Sequence, residues 1–94
     1  MLKHYVMWNI REEALRRDVD EAILRLLELK SLNEVLDLKV EKSNCSSSSK
    51  DIILIVTCLT EKDLNTYLKD PLHIEISEFI HKVFTNKEVL DIDG

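Results

Sequence analysis

Three histidines, two tyrosines and two cysteines are the side chains of this sequence best suited to making and breaking bonds. Cys45 and Cys58 form no Cys-x-x-Cys pair, and two well-separated cysteines build no disulfide framework. Cys58 ends an apolar strand and reads as a small hydrophobe; Cys45 lies in a polar loop and reads as a free thiol. Both fit a reducing cytosol. No grouping of Cys and His has metal-ligand spacing, so no metal is expected. The single glycine is Gly94, the last residue. Without a glycine-rich phosphate cradle, P-loop and dinucleotide sites are excluded, and no cofactor is expected.

The histidines are His4, His73 and His81, and the tyrosines are Tyr5 and Tyr67. Tyr67 and His73 flank Asp70-Pro71. Proline disfavours helical geometry at the residue before it, so one helix must stop near Lys69. Asp70 and Pro71 then suit the N-cap and first residue of a second helix. A kink there can aim Tyr67 and His73 into one cleft. The dipole at a helix N-terminus favours the neutral imidazole, the form a general base needs. The same residues could equally tie helix to sheet by buried hydrogen bonds, with no chemistry at all. His81 falls on the polar side of its helix and reads as surface.

The elements that must hold these residues follow from periodicity. Leu2 to Ile10 is rich in β-branched and aromatic residues and carries no breaker, which predicts a strand. Leu2, His4, Val6, Trp8 and Ile10 share one face; Lys3, Tyr5, Met7 and Asn9 share the other. Trp8 therefore reads as core or pocket wall. Glu12 to Leu32 has apolar residues at steps of three and four, from Leu15 to Leu29, and predicts one amphipathic helix. Val35 to Lys42 alternates as a strand, with Leu36, Leu38 and Val40 on one side. Ser43 to Lys50 is a serine-rich polar loop. Asp51 to Leu59 is apolar on both faces and predicts an interior strand. Thr60 caps a helix reaching Lys69. The second helix runs from Asp70 to about Phe84, and Asn86 to Asp93 closes as a strand. The order is βαββαβ, an α+β, ferredoxin-like plan with a four-stranded antiparallel sheet.

At 94 residues the chain is expected to be one domain, 1–94. Its net charge of −5 argues against a nucleic-acid partner, because nothing builds a phosphate-neutralising surface. The longest uncharged apolar run, Ile52 to Thr60, is too short to span a bilayer, and no signal-peptide pattern opens the chain. A cytoplasmic protein with no membrane partner is expected.

Helices in this plan cover one face of the sheet, yet the interior strand is apolar on both. Tyr5, Met7, Ile53 and Ile55 would face water in a monomer. Burying such a face stabilises by ~25 cal/mol per Å2 of apolar surface. With disulfides and metals set aside, the simplest cover is the same face of a second identical chain. A homodimer is expected.

Leu2-Lys3-His4-Tyr5-Val6, the stretch Leu64 to His73 with its Tyr67, Pro71 and His73, and Val89 to Asp93 resemble segments of the stress-responsive A/B barrel domain family, in matching order. The resemblance implies two sheets stacked across a dimer axis into an α/β barrel. It also implies a pocket between sheet and helices. Most members have no assigned activity. One branch, typified by olivetolic acid cyclase, closes rings by aldol condensation with a histidine base and a supporting tyrosine. By position His73 would match the base, Tyr67 the tyrosine and His4 a further pocket residue. Three departures stand out, one being the unusually serine-rich loop at Ser43 to Ser49. Lys30 to Glu34 replace a frequent glycine-containing turn, and Asp70 replaces a frequent histidine.

Two functions follow as expectations. The first is a small homodimeric protein of no assigned activity, with an apolar pocket lined by His4, Val6, Trp8, Tyr67 and His73 for a small hydrophobic ligand. The alternative is a cofactor-independent enzyme, polyketide-cyclase-like or an isomerase or lyase, using His73 as base with Tyr67. A cofactor-free monooxygenase rests on fold analogy alone.

Overall fold

A computed structural model describes all of residues 1–94. Strand β1 (Leu2–Ile10) is followed by helix α1 (Arg16–Glu28), strands β2 (Asp37–Lys42) and β3 (Ile52–Cys58), helices α2 (Glu61–Lys69) and α3 (Pro71–Val83), and strand β4 (Phe84–Asp93). The sheet has the order β2-β3-β1-β4, with every neighbouring pair antiparallel. The expected ferredoxin-like βαββαβ plan is the one observed. No helix is long and apolar enough to cross a membrane.

Parity along β1 decides the layers. Leu2, His4, Val6 and Trp8 are buried towards the helices, while Tyr5 and Met7 are only half-buried on the other face. In β3, Ile52, Leu54 and Val56 face the core, and Ile53 and Ile55 lie beside Met7 and Tyr5 on the uncovered face. From α1, Val19, Ala22 and Leu26 pack onto the sheet; from α3, Ile76, Ile80 and Val83 do so.

Several boundaries differ from the sequence reading. α1 starts at Arg16 rather than Glu12, and no side chain caps it. The preceding residues are spent turning the chain back over the sheet, with the Arg11 amide bonded to the Val83 carbonyl at 2.9 Å. Leu15, expected in the apolar stripe, is consequently exposed. The helix then tightens into a 3-10 turn, Leu29–Ser31, whose serine hydroxyl donates to the Glu28 carbonyl. β2 begins at Asp37, two residues late, because the chain enters it through a turn closed by the Val35 amide on the Leu32 carbonyl. Val35 is buried there and Leu36 is exposed, the reverse of a regular strand.

β4 begins at Phe84, directly off α3, where a helix end had been expected. Its register against β1 shifts: Met7 pairs with Glu88, but Asn9 pairs with Thr85. The extra residue makes a β-bulge, and Asn86 takes a left-handed conformation, φ 55°. Asn86 Nδ2 donates to Asn9 Oδ1 at 3.1 Å, and the Asn86 backbone carbonyl accepts from Lys50 Nζ at 2.9 Å. Leu90 and Ile92, opposite Tyr5 and Lys3, enlarge the uncovered apolar face and are 54% and 50% exposed.

Candidate functional site

His4 sits on the inner face of β1 and is 5% exposed. A buried imidazole needs a partner, and β4 supplies one. The antiparallel register sets Asp91 directly opposite, and its Oδ1 lies 2.5 Å from His4 Nδ1. Tyr67 lies in the last turn of α2 with no exposed surface. Asp70 closes α2 and opens α3, accepting a hydrogen bond from the Leu72 amide at 2.9 Å, with Pro71 as first helical residue. That shared cap turns the chain sharply enough to bring His73 back over Tyr67. Their ring centroids are 4.8 Å apart, and the His4 and Tyr67 rings meet edge-on at 6.3 Å. Three residues far apart in sequence thus stand in one row.

The row borders a cavity of about 200 Å3 between sheet and helices. Val6, Trp8, Leu26, Leu54, Ile76 and Ile80 supply much of its apolar wall. Trp8, Tyr67 and His73 also border it, with Trp8 Nε1, Tyr67 Oη and His73 Nδ1 buried away from its surface.

Burial also sets the charge states. It pushes the Tyr67 phenol above its usual range, with the neighbouring Cys58 adding to the effect, so the hydroxyl stays protonated. Burial lowers the His73 imidazole from its ordinary 6.5. A hydrogen bond with the Leu68 backbone and the Asp70 carboxylate oppose this, and Lys87 and His4 reinforce it. His73 is therefore neutral at pH 7 and offers a lone pair, and Tyr67 beside it offers a proton. That pairing can hold a carbonyl compound. It can also take a proton from the carbon next to the carbonyl while the phenol hydrogen-bonds the resulting enolate.

The structure brings His4, Val6, Trp8, Tyr67 and His73 to this cavity. Tyr5, Met7, Ile53 and Ile55 lie on the opposite face of the sheet. His81 is exposed, as read, but borders the cavity. Asp91 and Lys87 also line it and were not singled out from sequence. A carboxylate in the last strand carries no signal until the register opposite His4 is known, and Lys87 owes its place to the bulge. No group of three His, Cys, Asp or Glu side chains converges as a metal site would require. Both cysteines are free, Cys58 buried and Cys45 exposed.

The sequence profile of the stress responsive A/B barrel domain matches residues 2–93. The chain belongs to that family. No curated protein matches it. Among solved structures, it is similar to a dimeric ferredoxin-like protein of unknown function from Thermobifida fusca, with TM-score 0.89 and 13% identity over 99% of this chain and 90% of that one. It is similar to hydroxynitrile lyase from Passiflora edulis, with TM-score 0.87 and 13% identity over 97% and 90%. A family member with a ferredoxin-like fold from Mesorhizobium loti superposes with TM-score 0.86 and 8% identity over 99% and 95%. At these identities the stress responsive A/B barrel fold is what the likeness establishes.

Proposed function

We propose that this chain is a homodimeric stress responsive A/B barrel protein that holds a small hydrophobic molecule between sheet and helices. The observation that carries this is the apolar cavity between sheet and helices, bordered by the adjacent Tyr67 and His73 rings. A ligand with an apolar body and a carbonyl or hydroxyl suits apolar walls that include the His4 and His73 imidazoles. In this reading the protein works in the cytoplasm, needs no cofactor, and has neither nucleic acid nor membrane as partner. Two copies cover each other's apolar sheet face, as the dimeric neighbours' descriptions support.

Trp8 is the sole tryptophan and borders the cavity, so its emission reports occupancy. An engineered apolar cavity of about 150 Å3 holds benzene, so one ring with a short tail is a fitting probe here. Titration with phenylpropanol should change Trp8 emission along a saturable curve, and Ile76→Phe, which fills the cavity, should abolish it. An emission unmoved by phenylpropanol refutes the pocket.

One observation favours a second reading, a cofactor-independent isomerase, cyclase or lyase acting on a hydrophobic carbonyl compound. It is the neutral His73 imidazole packed against the protonated Tyr67 phenol. A neighbour of the same fold is a hydroxynitrile lyase. The His73→Ala variant separates the two readings, as argued at the residue scale below.

A further inference from the structure

The rim of the cavity carries charges of both signs at opposite ends. Lys87, Val89 and Asp91 are alternate residues of β4, and all three line the cavity. Four residues of strand put Lys87 and Asp91 ~13 Å apart along the sheet. Asp91 is engaged by His4 Nδ1. Lys87 is not engaged: the ion pairs of the molecule are His4 with Asp91 and Arg25 with Glu21. His81 borders the same cavity, and it and Lys87 lie on either side of the α3–β4 junction.

The placement of Lys87 is built. The bulge at Asn86 is held by bonds to Asn9 and Lys50, and bulges of this kind re-aim the side chain that follows. It directs an ammonium with no ion-pair partner to the rim of an apolar cavity. Lys87 also acts on the His73 imidazole across that space, disfavouring its charged form.

We infer that the natural ligand is a small amphiphilic anion, a carboxylate on an apolar body, bound with its charge against Lys87 and its apolar part against Trp8. This rests on the pocket reading above and names its ligand class. The chain's net charge of −5 gives no long-range attraction for an anion, so the preference is local to Lys87.

Three probes of one shape decide it: phenylpropionate, phenylpropanol and phenylpropylamine, each titrated against Trp8 emission in the intact protein. Phenylpropionate should bind tightest and phenylpropylamine weakest. Lys87→Gln, on an exposed strand position, should weaken phenylpropionate about fivefold, the upper size of one exposed charge pair, and leave phenylpropanol within about twofold. If phenylpropanol binds and phenylpropionate binds no tighter, or if Lys87→Gln weakens both alike, the anion preference is overturned and the pocket stands. Tightest binding of the amine would likewise overturn it, assigning the rim to Asp91. If none of the three binds, the pocket reading falls and this inference with it.

Discussion

His73 is the third residue of α3, and its ring is held between Tyr67 and the cavity. A side chain that serves a space rather than the core can be removed cheaply. His73→Ala should therefore move the melting temperature by less than about 4 °C at pH 8, corresponding to under about 1 kcal/mol. A loss of several kcal/mol would make the residue structural. The variant should also alter acid sensitivity. The folded imidazole has a lowered pKa, so below pH 6.5 the unfolded chain binds a proton that the folded chain refuses. Stability present above pH 6.5 is lost as pH falls through the folded value, and urea melts should show that limb in the wild type and not in His73→Ala. If the protein is a proton-transfer enzyme, the wild type should also exchange the α-hydrogens of a phenyl-substituted ketone with deuterated water. The imidazole would take the proton and solvent deuterium would return to the same carbon. His73→Ala should lose that exchange, and a wild type that catalyses none rules out the enzymatic reading. Strand parity put His4 on the inner face, and the Asp-Pro cap put Tyr67 and His73 on either side of one turn, both local rules; grouping the three came from the family resemblance. Asp91 was not, because its role depends on a strand pairing that spans nearly the whole chain.

The elements divide the same way. The Thr60 hydroxyl accepts from the Asp63 amide at 3.2 Å and the Asp70 carboxylate caps α3, as their types and positions foretold. Capping signals are local, so α2 and α3 came out with nearly correct limits. α1 has no capping side chain, and its apolar period runs on into residues that turn instead, so its start was misplaced. β4 was misread at its beginning because the left-handed Asn86 breaks the alternation that marks a strand. Asparagine tolerates that conformation and β-branched residues do not. Asn86→Gly should hold stability within about 1 kcal/mol, while Asn86→Val should cost about 1–3 kcal/mol in urea titration. Equal effects of the two would show that the backbone conformation there is not what matters.

At the scale of the whole molecule, the sheet has one face under the helices and one face open. Tyr5, Met7, Ile53 and Ile55 were visible on the open face from alternation alone. Leu90 and Ile92 joined them only once the bulged register was known. Such a face argues for a partner copy. Sedimentation equilibrium should give the mass of two chains at micromolar concentration, and Ile55→Lys, at the centre of the face, should shift the particle to one chain that still melts cooperatively. A compact wild-type monomer would refute the dimer.

The bulge in β4 has one more consequence. Phe84 is even-numbered and packs inward on Trp8, their rings 5.6 Å apart, whereas Lys87, Val89 and Asp91 are odd-numbered and also point inward. In an unbroken strand those two sets would lie on opposite sides. Asn86 acts as a phase correction that lets one strand serve the core at its start and the binding space at its end. A single-residue deletion there would force a choice between them, whereas the serine-rich loop, which carries no such frame, can change length freely.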